Sequence, residues 1–171
     1  NKLLCSGYRV GEKIQLSEKR GQGAILMRAL IQYCYKYRDI LNIDRLELDD
    51  ESNYDCNRWV SVDLFHSNIL CGKLPYYMQF GFVPVEKDTI KKIMANLEIV
   101  RKRLVTVTDF INLTEDPMPD SIRHIVMSNQ GKPLTECLHG ILFSDCVYYS
   151  KIYMEMWRKL KLKKFGPHEK A

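Results

Sequence analysis

The chain has 171 residues, 46% of them hydrophobic, and a net charge of +5, which suits one well-buried core with at most an appendage. It carries neither an apolar run long enough to span a bilayer nor a basic-then-apolar leader, so a soluble, intracellular protein without a membrane partner is expected. Six cysteines without a C-x-x-C pair and four scattered histidines read as reduced thiols and no metal site.

The first residue is Asn1, which we read as a processed or partial form with residues upstream. From Lys13 to Ser17 the sequence alternates polar and apolar residues, the period of a half-buried strand. The glycine turn Arg20-Gly21-Gln22-Gly23 follows. From Ala24 to Tyr37, Ile25, Leu26, Ala29, Leu30, Tyr33 and Tyr37 recur at helical spacing. Arg45 to Asp49 alternates again and predicts a strand parallel to the first across the helix, a βαβ unit. Trp59 to Leu70 is apolar enough to be buried, as a helix or an irregular segment. Gly72 to Phe80 reads as a short helix with Pro75 in its first turn and Gly81 as its stop, leading into extended Phe82 to Val85.

In the C-terminal half, Glu86 to Arg103 places Ile90, Ile93, Met94, Leu97 and Val100 on one helical face, with Asp88 as the expected N-cap. The stretch from Asp116 to Pro133 shows no strong period. Tyr148 to Lys164 predicts another amphipathic helix ended by Gly166-Pro167. Residues 1–84 carry 11 basic and 10 acidic side chains, and 85–171 carry 15 and 11. The excess peaks at Arg158, Lys159, Lys161, Lys163 and Lys164. We read this cluster as a solvated helix end suited to the helix dipole rather than as a nucleic-acid contact.

A glycine turn between strand and helix lets backbone N–H groups approach an anion at the positive helix N-terminus. Taken with the downstream run Tyr76-Tyr77-Met78-Gln79-Phe80-Gly81-Phe82, the order strand, Arg-Gly-x-Gly, helix, strand resembles the acyl-CoA-binding half of the GNAT superfamily of N-acyltransferases. In that family a helix ends in a tyrosine followed four residues later by Gly-Phe. The resemblance covers about residues 13–85. It implies an α/β fold with a GNAT-like mixed sheet, a core at 1–85, and a helical C-terminal extension or continuation at 86–171. The Gly-Lys-x-x-Tyr-Tyr approach is also similar to that of GNAT-like proteins of large DNA viruses, which adds the virion to the expected locations.

The implied activity is transfer of an acetyl or other acyl group from CoA to an amine by direct attack, with acetyl-CoA as co-substrate and an acceptor that the sequence leaves open. Carried over, Arg20, Gly21, Gln22 and Gly23 match the pyrophosphate loop, Ala24 and Ile25 the helix start, and Leu16 the strand end beside the acyl carbonyl. Tyr77 matches the acid that protonates the departing thiolate, with Tyr76 as the alternative. A phenol, with an ordinary pKa of about 10, is protonated at neutral pH and can donate without special tuning. Glu47 is the candidate base, ahead of Glu18 and Asp49.

Ile25 departs from the family pattern, standing where the loop usually has Gly or Ala, and so does Leu70, where an asparagine is common. Only residues 1–12 precede the strand that leads into the loop. These departures keep a second reading open, a non-catalytic GNAT-like module that engages a protein partner through its C-terminal helices.

Overall fold

The structure, a computed structural model, describes residues 2–5, 22–48 and 52–165. It is mixed α/β and mostly helical, and it divides between Asp50 and Glu51 into two units. In the first, β1 (Lys2–Cys5) and β2 (Arg45–Leu48) pair in parallel, Lys2 opposite Arg45 and Cys5 opposite Leu48. Helix α1 (Gln22–Lys36) and the short α2 (Arg38–Leu41) lie in the connection. This is a βαβ unit, and its helix and second strand fall where the two periodicities place them. The strand read at 13–17 lies outside the described residues; the parallel neighbour found for β2 is β1.

Helix α1 is apolar on two sides. Ala24, Met27 and Ile31 are half-buried and Cys34 is buried, a stripe at helical spacing on the inner face. On the outer face Ile25 is 65%, Leu26 52% and Tyr33 55% exposed. A helix that is hydrophobic all round is ordinarily enclosed on both sides.

The second unit opens with an antiparallel hairpin of β3 (Asn53–Asp55) and β4 (Ser61–Asp63). Helix α3 (Leu64–Leu70) follows, N-capped by Asp63, whose Oδ1 accepts the His66 N–H at 3.1 Å. Trp59, expected in the core, is 90% exposed beside the hairpin turn, whereas Val62, Phe65, Ile69 and Leu70 are buried. A one-turn 3-10 helix at Tyr77–Phe80 leads to α4 (Lys87–Lys102), a 3-10 turn at Val107–Asp109, α5 (Asp120–Ser128), α6 (Leu134–Ser144) and α7 (Cys146–Lys159).

Ile93, Leu97 and Val100 of α4 meet Ile122 and Val126 of α5, Leu134, Leu138 and Ile141 of α6, and Tyr149, Ile152 and Met156 of α7 in one core. Each large apolar side chain fully buried there contributes roughly 1.5–3 kcal/mol relative to exposure. Because α3 packs on α4 and α7, residues 52–85 belong with the C-terminal helices. The boundary therefore falls at 50/51 rather than at the 85/86 read from sequence.

Four local readings are corrected. Cys56 and Cys146 form a disulfide, with Cα atoms 5.4 Å apart and a sequence separation of 90. It joins the end of β3 to the start of α7, a proximity that residue spacing does not reveal. The helix expected over 72–80 is reduced to the turn 77–80, and 82–85 is not a strand. Asp88 lies within the first turn of α4 and pairs with Lys91 at 3.0 Å, while Glu86 occupies the cap. Helix α7 ends at Lys159, before the Gly166-Pro167 stop, because Leu160 caps it and Lys161 turns to φ 53°.

That early end is fixed from α4. Asn96, fully buried, donates from Nδ2 to the Lys163 carbonyl at 3.0 Å and accepts the Lys163 N–H on Oδ1 at 2.8 Å. The clamp seats Leu162 in the core. Asn96→Ala is expected to cost about 1–3 kcal/mol, since two backbone groups lose their partner. Urea unfolding measures it, and a change within about 0.5 kcal/mol would mean that the clamp is dispensable.

Candidate functional site

In the first unit, Leu16, Arg20 and Gly21 lie outside the described residues. Helix α1 begins at Gln22, so Gly23, Ala24 and Ile25 fall in its first turn. The N–H groups of the first four helical residues have no acceptor one turn back within the helix. They also stand at its positive end. Ile25 extends largely into solvent, and Gly23 is exposed. Toward the other end of α1, Ile31, Cys34 and Tyr35 line a cavity of about 200 Å³ with Arg38, Ile43 and Arg45.

Glu47 on β2 is held by its neighbour two residues back: Arg45 Nε lies 2.7 Å from Glu47 Oε1. That ion pair favours the ionised carboxylate and makes Glu47 a weaker base.

In the second unit, Tyr76 caps the 3-10 turn and Tyr77 is its first residue. Gly81 adopts φ 92°, which a residue with a Cβ rarely does, and its N–H is bonded to Met78 O. The chain reverses there. Phe82 returns edge-on to the Tyr77 ring at 6.4 Å, while Tyr76 meets Tyr77 at 5.3 Å and Phe80 at 5.2 Å. The Tyr-x-x-x-Gly-Phe spacing thus builds a small aromatic cluster with both tyrosines half-buried. Gln79 Nε2 closes the turn by donating to Leu74 O at 3.1 Å.

The described residues therefore place Gly23, Ala24, Ile25 and Glu47 on the first unit and Tyr76 and Tyr77 on the second. The sequence reading missed a cavity of about 390 Å³ in the second unit, bordered by Phe110, Leu113, Met118, Arg123, Met127 and Tyr148. Its rim is fixed by Asn112 at φ 61° and by an ion pair of 2.6 Å between Lys151 Nζ and Asp116 Oδ2. No motif announces it, because the rim is an irregular loop whose residues share no period. No helix among the described residues is long and apolar enough to cross a membrane.

No protein-family model matches the chain, and no curated protein or solved structure is significantly similar to it.

Proposed function

We propose that the chain is an acyl-CoA-dependent N-acyltransferase of GNAT type. One observation carries the reading: Gly23 stands in the first turn of α1 in a parallel βαβ unit, where the amides of residues 22–25 have no helical partners. Such a helix start suits a pyrophosphate, and the Arg20-Gly21-Gln22-Gly23 sequence suits the close approach of backbone to it. In this reading Tyr77 protonates the CoA thiolate as the amine attacks the thioester carbon, and the amine's own proton leaves to Glu47 or to water.

Calorimetric titration with acetyl-CoA tests the cofactor half by itself. Saturable binding is expected, with loss of about tenfold or more in affinity for Gly23→Val, whose side chain would stand between the amides and the phosphates. Absence of binding in the wild-type protein would overturn the reading.

The exposed second face of α1 favours a different reading, a non-catalytic module whose partner covers Ile25, Leu26 and Tyr33. It predicts no acetyl-CoA heat and a loss of association when Leu26 and Tyr33 are replaced by Ser.

A further inference from the structure

A second cavity in the helical unit, about 90 Å³, lies between β3, α3 and α6 and is bordered by Tyr54, Asn68, Cys71, Lys73, His139 and Leu142. No carboxylate lines it. Lys73 Nζ sits 2.9 Å from His139 Nε2. A lysine ammonium only donates, so His139 accepts on Nε2 and is the neutral tautomer protonated on Nδ1. Among the described residues Lys73 has no ion-pair partner.

The backbone that presents Lys73 is rigid. Gly72 takes φ 72°, and a Cβ there would meet Thr135 Cγ2 at 2.9 Å. Arg101 holds the Gly72 carbonyl with two donors, Nε at 3.0 Å and Nη2 at 2.7 Å. The Arg101 guanidinium likewise has no carboxylate partner among the described residues. The Lys73 ammonium, at an exposed position, thus borders a cavity whose lining contains no carboxylate.

We propose that this cavity binds a compact oxyanion, a carboxylate or a phosphate group, held by the Lys73 ammonium with the Asn68 amide and the Tyr54 hydroxyl as further donors. The volume admits the anionic group and little beyond it.

Two other groups beside the cavity, Cys71 and Tyr149, stay uncharged near neutrality. Burial pushes the Cys71 thiol up to about 11, and Tyr149, behind it on α7, rises well above 10. Glu136, one turn before His139, is exposed to solvent and absent from the lining. His139 is the group that titrates, and burial first, then the Lys73 charge, hold its pKa below 6.5.

Folding thus lowers the proton affinity of His139. The free protein loses stability as pH falls below the ordinary imidazole value of 6.5. An oxyanion in the cavity reverses the preference by favouring the imidazolium, which brings a second charge and lets both ring nitrogens donate. For a carboxylate, whose charge is constant over this range, binding must therefore tighten as pH falls through the His139 pKa. Phosphate takes up a proton of its own at about pH 7, so for it the readout is the His139 pKa, which either bound anion must raise by the same linkage.

The test is NMR titration of the full chain with sodium phosphate and, in a parallel arm, sodium acetate, at pH 7.5 and pH 5.5. Saturable shifts confined to Tyr54, Asn68, Lys73 and His139, with a raised His139 pKa, are expected in at least one arm. The responding arm identifies the ligand as phosphate or carboxylate. Lys73→Met, at an exposed position where folding should survive, is expected to weaken binding about tenfold or more. His139→Gln keeps an acceptor for Lys73 and should retain binding but lose its pH dependence in the acetate arm. Shifts that persist in Lys73→Met, or none in either arm up to tens of millimolar, would overturn the proposal.

Discussion

Tyr77→Phe is expected to lower acyl transfer by about 10²–10⁴-fold while leaving acetyl-CoA affinity unchanged. The substitution removes one hydroxyl and keeps the ring. The contacts with Tyr76 and Phe82 that hold the turn survive in phenylalanine, so a loss of turnover reports the proton rather than the packing. A donor that acts only as the carbon–sulfur bond breaks should affect kcat and kcat/KM alike and leave the binding isotherm in place. Tyr76→Phe is the control, because that residue shares the same cluster and differs in direction by its place at the cap of the turn. If Tyr76→Phe shows the loss instead, the role passes to it. If neither does, water protonates the thiolate.

Reduction of the Cys56–Cys146 disulfide should destabilise the second unit by about 2–5 kcal/mol. The cross-link closes a loop of sequence separation 90, and in the chain-entropy account a loop of that order restricts the unfolded ensemble by between about 4 and 5 kcal/mol. For a unit of this size, 3 kcal/mol corresponds to a fall on the order of 10 °C in Tm. Thermal unfolding with and without a phosphine reductant, repeated on the Cys56→Ser and Cys146→Ser double variant, measures the effect. The double variant should match the reduced wild type and show no response to reductant. Equal Tm values for the oxidised and reduced protein would mean that the bond contributes nothing to folding. Cys71 and Cys137 should not confuse the result, since both are buried and their thiols are pushed up to about 11.

The parts of this molecule legible in its sequence are those that local periodicity fixes. The recurrence of Ile25, Leu26, Ala29, Leu30, Tyr33 and Tyr37 and the alternation at 45–49 locate a helix and a strand to within a few residues, although the inward stripe of α1 is Ala24, Met27, Ile31 and Cys34. The apolar stripe of α4 is likewise legible, yet two of its buried positions, Thr89 and Asn96, are polar. Asn96 reads as a surface residue until its two bonds to Lys163, 67 positions away, are known. Helices α5 and α6 are less legible, for a related reason. Helix α5 is amphipathic but only nine residues long, about two and a half turns, so its period is brief, and α6 is apolar on most of its surface, so its period is blurred. The disulfide and the Lys73–His139 contact join residues 90 and 66 positions apart. No window along the chain contains both partners.

The candidate site divides in the same way. The turn made by Gly81 and the aromatic cluster around Tyr77 are built from the seven consecutive residues 76–82. The engagement of Glu47 by Arg45 depends on both pointing to one face of β2, as residues two apart in a strand do. That much was also available in the sequence. The cavity beneath Lys73 was not, because its walls come from β3, α3 and α6.

The disulfide makes residues 56–146 a covalent ring, and the exposed loop at 111–117, apart from buried Leu113 and half-buried Thr114, lies inside it. A protease that cuts this loop therefore opens the ring without releasing a fragment. The nicked chain keeps its mass under non-reducing denaturing electrophoresis and separates into two pieces only once the bond is reduced. The core helices on either side of the cut, α4 before it and α5 to α7 after it, remain tethered and free to repack.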